Sequence, residues 1–208
     1  MDLSIIIPVY NSELILPNLV KEIENSLQNK KLNKEIILIN DFSKDNSWKI
    51  IKDLSNSLDF VKGINLKNNY GQHNAIAAGL YFTTGDYIIL MDDDLQHDPI
   101  YIFDIFNELK KGYDACYVKY VKRKHIMWKK LLSYLNHITS SYLSGKPKNI
   151  YTSSFKGINK NICDIINNDT NFEVFLDWII VENSKKIKTI NVLHRERFEG
   201  KTNYGIKK

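Results

Sequence analysis

Through the first 118 residues, short β-branched runs alternate with stretches whose apolar residues recur at helical spacing. The runs Leu3–Val9, Glu35–Asn40, Phe60–Leu66, Asp86–Met91 and Tyr113–Val118 predict strands. Between them, Leu16, Leu19, Val20, Ile23 and Leu27 predict one helix face, Ile50, Ile51, Leu54 and Leu58 a second, and Ile102, Ile105, Phe106 and Leu109 a third. Asp98 before Pro99 has the form of an N-cap followed by proline at the first helical position, so a helix is expected to start there. This alternation predicts an α/β protein with a mostly parallel sheet flanked by helices.

The pattern changes near residue 125. A long amphipathic segment runs through Leu143, Gly145-Lys146-Pro147 breaks it, and mixed short elements follow as far as Arg195–Tyr204. No repeat, low-complexity tract or flexible linker separates the two parts. The expectation is a single domain over 1–208, in which residues 119–208 complete the fold begun by residues 1–118 and form the wall that holds a second substrate.

In parallel sheets, ligands bind in the crevice at the carboxyl edge of the strands. Conspicuous polar residues stand at those edges: Pro8-Val9-Tyr10-Asn11 after the first strand, Asn40-Asp41-Phe42-Ser43 after the second and Asp92-Asp93-Asp94 after the fourth. In an extended chain Asp92 and Asp94 share a face, with Gln96 two residues further on. Oxygen ligands at that spacing suit Mg²⁺ or Mn²⁺ bridging a diphosphate. A solvated acidic loop is the plain alternative.

Composition narrows the field. With 208 residues, 43% of them hydrophobic, the chain has enough apolar material for one good core. Cys116 and Cys163 have no CxxC partner and no neighbouring His-Cys cluster, which reads as two reduced thiols in a cytosolic protein. No basic-then-apolar leader opens the sequence, and no apolar run approaches the ~20 residues of a membrane span. The net charge of +5 is unevenly spread, with basic residues concentrated after residue 118. Lys119, Lys122, Arg123, Lys124, Lys129 and Lys130 are interleaved with Met127, Trp128, Leu131, Leu132, Tyr134 and Leu135, a mixture suited to an anionic bilayer surface or to a solvated helix packed on the core. Nucleic acid is not expected as a partner, because the acidic cluster would repel a polyphosphate.

Five motifs in order resemble the family 2 glycosyltransferases of the GT-A (Rossmann-like) fold, especially the branch with dolichyl-phosphate mannose synthase and bacterial polyprenyl-phosphate glycosyltransferases. They are Ser4-Ile5-Ile6-Ile7-Pro8-Val9-Tyr10-Asn11; Ile39-Asn40-Asp41-Phe42-Ser43-Lys44-Asp45; Asn69-Tyr70-Gly71 with Ala75 and Gly79; Asp92-Asp93-Asp94-Leu95-Gln96; and Arg197-Phe198-Glu199-Gly200-Lys201-Thr202-Asn203-Tyr204. The sequence departs from the family at Asn40, where many relatives have Asp, and at Ser153-Ser154-Phe155-Lys156, where they have a more acidic, Arg-containing segment.

The resemblance implies an inverting, metal-dependent transfer of a sugar from a nucleotide donor, with polyprenyl phosphate at the cytoplasmic membrane face as the acceptor. It implies nucleotide-sugar contacts at Pro8, Tyr10, Asn11, Asp41, Ser43, Gln72, Asp92 and Asp93, and a Mg²⁺ or Mn²⁺ held by Asp92, Asp94 and Gln96, with Asp94 catalytic. A phosphate acceptor is already anionic and needs positive charge, which Arg195, Arg197 and Lys201 would supply, with the Thr202 hydroxyl as a further donor and Arg197 as a catalytic group. A sugar hydroxyl acceptor, on a lipid-linked glycan or surface polysaccharide, would instead need a carboxylate base. Asp177 is the candidate, with Glu173 four residues earlier on the same helix-like face. His73, His97 and His194 have no ligand-spaced partner in the sequence. A non-catalytic nucleotide-sugar-binding or membrane-binding module is the rival of a different class. The protein is expected in the cytoplasm, peripheral on the inner face of the cell membrane.

Overall fold

Every position of the first strand, β1 (Leu3–Val9), is buried, which is why its sequence is apolar almost without alternation. The computed structural model of the protein describes residues 1–121, 151–169 and 176–193. Among them β1 joins β2 (Lys34–Asn40), β3 (Val61–Asn65), β4 (Tyr87–Leu90), β5 (Ala115–Val121), β6 (Lys156–Asn159) and β7 (Ile187–Leu193) in one sheet of order β3-β2-β1-β4-β6-β5-β7. The pairs β1/β2, β1/β4, β2/β3 and β5/β7 are parallel, and β6 runs antiparallel to both β4 and β5.

Helices cover both faces. On one face α1 (Leu16–Leu27), α2 (Ser47–Ser57) and α4 (Ile102–Lys110) pack against Leu3, Ile5, Ile7 and Val9. On the other, α3 (Gln72–Tyr81), α5 (Lys160–Asn168) and α6 (Leu176–Asn183) pack against Ile6, Ile37, Ile39 and Ile88. The alternation of β1 thus feeds two cores at once. All five apolar positions expected on α1 are buried, as are all four on α4. Of the α2 set only Ile51 is fully enclosed, with Ile50, Leu54 and Leu58 packed at the margin.

Asp98 caps the next segment by accepting from the Ile100 N–H at 3.1 Å. The turn it opens is a 3₁₀ turn, Pro99–Tyr101, and α4 proper starts at Ile102. Sequence periodicity anticipated five strands, each within a few residues of its observed limits, but neither β6 nor β7. β6 is four residues long and contains Gly157, so it carries too little apolar pattern to be seen alone. It is supplied by the second half of the sequence and lies between β4 and β5 of the first.

Candidate active site

Between β1 and β4 the connections leave in opposite directions, β1 leading to α1 and then β2 on one side and β4 leading away on the other. Such a switch point opens a crevice at the carboxyl ends of the strands. Four loops meet there, and side chains lace them together. The β1 loop is tied to the β2 loop by Asn11 N donating to Ser43 Oγ (3.1 Å), Lys44 N to Asn11 Oδ1 (2.7 Å) and Ser12 N to Ser47 Oγ (2.9 Å). It is tied to the acidic loop by Ser12 Oγ and Tyr10 N, which both donate to Asp93 Oδ2, at 2.6 and 3.2 Å.

Asp41 is 4% exposed and accepts from two backbone donors at the start of α3, Tyr70 N (2.8 Å) and Gly71 N (2.9 Å). Gly71 has φ of +84°, a conformation that glycine adopts without strain, and so the Asn-Tyr-Gly segment can turn sharply into the helix. Gln72, the first residue of α3, then donates from Nε2 to Asp92 Oδ1 at 2.6 Å. Asn40 links the ends of β2 and β3 through Nδ2 to Asn65 Oδ1 (2.7 Å) and accepts from Ser43 N (3.3 Å), a pair of roles its amide fills without charge.

The three carboxylates do not lie along one extended face. β4 ends at Leu90 and the chain bends through residues 93–95, with Leu95 at φ of +58°. Asp92 faces Gln72 and His97, Asp93 faces the β1 loop, and Asp94 accepts from Gln96 N (3.0 Å) and Gln96 Nε2 (2.6 Å). The described non-glycine residues with positive φ, Asn11, Phe42 and Leu95, all fall in the loops of this crevice, where the surrounding hydrogen bonds hold them.

Electrostatics separates the triplet. Burial pushes Asp93 up to about 6 against the pull of Ser12 and the Tyr10 N–H, and the charges of Asp92 and Asp94 push it the same way. Burial acts upward on Asp92 too. There the hydrogen bond and charge of His97, with hydrogen bonds from Ser154 and Gln72, outweigh it and hold the carboxyl below its usual range. No lysine or arginine pairs with the triplet among the described residues, and no three His, Cys, Asp or Glu groups there form a complete metal cage. Clustered carboxylate oxygens without a full cage fit a Mg²⁺-type ion, which is usually bound by one or two carboxylates plus substrate phosphates.

Exposed aromatic residues rim the crevice: Tyr10 at the β1 end, Phe42 at the β2 end beneath Lys44 Nζ (3.8 Å from the ring centre), and Tyr70 before α3. Pro8 is buried within β1 and shapes the floor. On the far side, Lys156 at the start of β6 pairs with Asp177 Oδ1, to which Tyr117 OH also donates (3.1 Å). Lys156 is opposite Leu90 in the sheet, so Asp177 lies toward the same end as the acidic loop.

His97 is the site residue that sequence reasoning set aside. It is 5% exposed, with Nε2 3.1 Å from Asp92 Oδ2 and 3.3 Å from Ser154 Oγ, and Nδ1 3.1 Å from Tyr120 OH. No spacing in the sequence signals these contacts, because the turn at Leu95 and the return of the chain at Ser154 create them. Glu173, His194, Arg195, Arg197, Lys201, Thr202 and the basic stretch from Lys122 onward lie outside the described residues.

The family model for glycosyl transferase family 2 matches residues 4–166. An uncharacterized glycosyltransferase, YkcC, of Bacillus subtilis (strain 168) is 29% identical over 206 residues, covering 99% of this chain and 64% of that protein. The undecaprenyl-phosphate 4-deoxy-4-formamido-L-arabinose transferase of Proteus mirabilis (strain HI4320) is 30% identical over 206 residues, covering 99% and 63%. The chain therefore spans somewhat less than two thirds of the curated relatives it matches. Among solved structures, glucosyl-3-phosphoglycerate synthase from Mycobacterium tuberculosis, in complex with Mn²⁺, UDP and glucosyl-3-phosphoglycerate, superposes with a TM-score of 0.66 at 14% identity, over 96% of this chain and 73% of that one. S. aureus TarS 1-349 in complex with UDP-GlcNAc gives 0.61 at 20% identity, over 94% and 59%. At these identities the likeness speaks for the fold, the GT-A architecture of a mixed sheet with helices on both faces.

Proposed function

Since the chain belongs to glycosyl transferase family 2, we propose that it is an inverting, metal-dependent glycosyltransferase that moves a sugar from a nucleotide donor onto a polyprenyl phosphate at the cytoplasmic membrane face. The observation that carries this reading is the acidic loop at the sheet's switch point, held on three sides by Ser12, Gln72 and His97 so that its carboxylates face one crevice. The relatives named as undecaprenyl-phosphate transferases support the acceptor class, and the superposed structures bound to UDP or UDP-GlcNAc support the donor class.

Departure of a nucleoside diphosphate places growing negative charge on its phosphate oxygens. Asp94 and Asp92 would hold a Mg²⁺ or Mn²⁺, which supplies Lewis-acid stabilisation of that charge when bound. Gln96 holds Asp94, and Gln72 holds Asp92, so neither carboxylate has to reorganise as the charge develops. Tyr10, Phe42 and Tyr70 offer ring faces to the nucleoside. Asp41 serves chiefly by fixing the turn into α3 that aims Gln72. A polyprenyl phosphate needs no base, and Arg195, Arg197, Lys201 and Thr202 are assigned to its phosphate. The domain is taken as one unit over 1–208, lying peripherally on an anionic membrane surface through the basic stretch. No helix among the described residues is long and apolar enough to cross a membrane.

A second reading, with a sugar hydroxyl as acceptor, is favoured by one observation: Asp177 presents a carboxylate toward the crevice end of the sheet. Calorimetric titration of UDP-, GDP- and dTDP-sugars, with and without Mn²⁺, on wild type and Asp94→Asn tests the donor site. One donor is expected to bind in a manner that needs both metal and Asp94; failure of every donor with metal present refutes the assignment and favours a non-catalytic module. Turnover of Asp177→Asn then separates the acceptors. A loss of about 10²-fold or more with donor binding preserved points to the hydroxyl acceptor.

A further inference from the structure

Just after the acidic triplet stands a histidine whose two ring nitrogens are both engaged. His97 is buried and its ring is held edge-on by Phe155 (5.0 Å between centres) and Tyr120 (5.8 Å). Tyr120 OH meets Nδ1 at 3.1 Å, and Nε2 meets Asp92 Oδ2 at 3.1 Å and Ser154 Oγ at 3.3 Å. Burial and the charges of Asp92 and Asp94 push the Tyr120 hydroxyl well above its ordinary range, so it stays protonated and can donate to Nδ1. With Tyr120 as the donor to Nδ1, the tautomer that fits both contacts carries its proton on Nε2, facing the Asp92 acceptor. Asp92 is consequently gripped at both oxygens, Oδ1 by Gln72 and Oδ2 by His97, and each oxygen retains lone-pair capacity for a further partner.

We propose that His97 is a positioning residue for the donor site: the relay Tyr120–His97–Asp92 fixes the Asp92 carboxylate in the orientation that receives the divalent cation brought with the nucleotide diphosphate. Because His97 also touches Ser154, the same ring couples that carboxylate to the 151–155 segment on the acceptor side. This rests on the donor-site reading above. The role it gives His97 is exerted through Asp92.

The test titrates Mn²⁺ into wild type, His97→Phe, His97→Gln and Tyr120→Phe, with UDP, GDP and dTDP in turn, reading free Mn²⁺ by electron paramagnetic resonance. Nucleotide affinity without metal is measured alongside. His97→Phe keeps a planar ring but loses the contacts to Asp92, Ser154 and Tyr120, and a loss of about tenfold or more in nucleotide-dependent Mn²⁺ affinity is expected, as for other partners that orient a ligand from behind. Metal-free nucleotide affinity should stay unchanged, His97→Gln should recover part of the loss, and Tyr120→Phe should show a smaller loss of the same kind. Unchanged Mn²⁺ affinity in a folded His97→Phe, or a parallel fall in metal-free nucleotide affinity, overturns the inference and leaves the donor-site reading standing. Absence of nucleotide-dependent Mn²⁺ binding in wild type overturns both. If His97→Phe does not fold, Tyr120→Phe decides, and an Mn²⁺ affinity equal to wild type refutes the relay.

Discussion

Glu35 is 1% exposed at the amino edge of the sheet, away from the crevice, and its carboxylate gathers Ser4 Oγ, Thr84 N, Thr84 Oγ and Lys62 Nζ. Burial alone would push its pKa up, but the bonds from Lys62, Ser4 and Thr84 win and hold it below the ordinary value of 4.5. A depressed carboxyl pKa means the unfolded chain takes up the proton first on acidification. The stability Glu35 adds is therefore fully present above about pH 4.5 and is lost as pH falls through its lower folded value. Glu35→Gln is expected to destabilise the protein by about 1–3 kcal/mol at pH 7, since it replaces an acceptor of several buried donors. Urea unfolding of both proteins at pH 7 and pH 3 checks this, and a difference that fails to shrink at pH 3 would refute the ionised network.

Elements dock where small residues let them. A Cβ on Gly157 in β6 would stand 2.4 Å from Ile105 Cγ2 and 2.9 Å from Leu109 Cδ1, both on α4. Gly157→Ala should consequently lower stability by about 1–3 kcal/mol through overpacking. A chemical-denaturation midpoint equal to wild type would show that α4 can yield. At the opposite face, α3 is placed by Asp41 rather than by a cap of its own, for no side chain caps it at Gly71. Asp41→Ala removes both acceptors. Faster amide hydrogen exchange over residues 72–76 is expected, together with weaker donor binding because Gln72 is no longer aimed. Exchange at the wild-type rate would mean that Gly71 alone sets the helix start.

For the whole molecule, the placement of β6 decides how the halves depend on each other. β4 and β5 both pair with β6, which comes from beyond residue 150. A fragment of residues 1–121 would leave edges of β4 and β5 unpaired and Ala115, Tyr117 and Ile88 without Ile158, Ile162 and Leu176 over them. It is expected to remain unfolded, whereas the whole chain unfolds in one transition by tryptophan fluorescence and far-ultraviolet circular dichroism together. Two separated transitions, or a folded fragment, would contradict the single-domain reading.

The local pattern was enough to place β1 to β5, α1 and α4, because strands buried on two faces and helices buried on one write period and apolarity directly into the chain, as Ile5-Ile6-Ile7 and Leu16-Leu19-Val20-Ile23-Leu27 do. The crevice was legible as well, since polar residues at the carboxyl ends of parallel strands have few other uses than turns and ligands. Tertiary structure alone decided the partners. Asp92 and Asp94 look equivalent at i and i+2, yet the chain bends through residues 93–95 and the fold gives them different partners, Gln72 and His97 in one case and Gln96 in the other. Asp177 stands in the sequence only as a candidate base four residues after Glu173, and the fold alone brings Lys156, 21 residues earlier, to pair with it. His97 acquires its meaning from Tyr120 and Ser154, 23 and 57 residues away. Periodicity reports which face of an element is buried; a hydrogen bond between loops depends on where the folded chain brings two distant backbones together, and no local spacing encodes that.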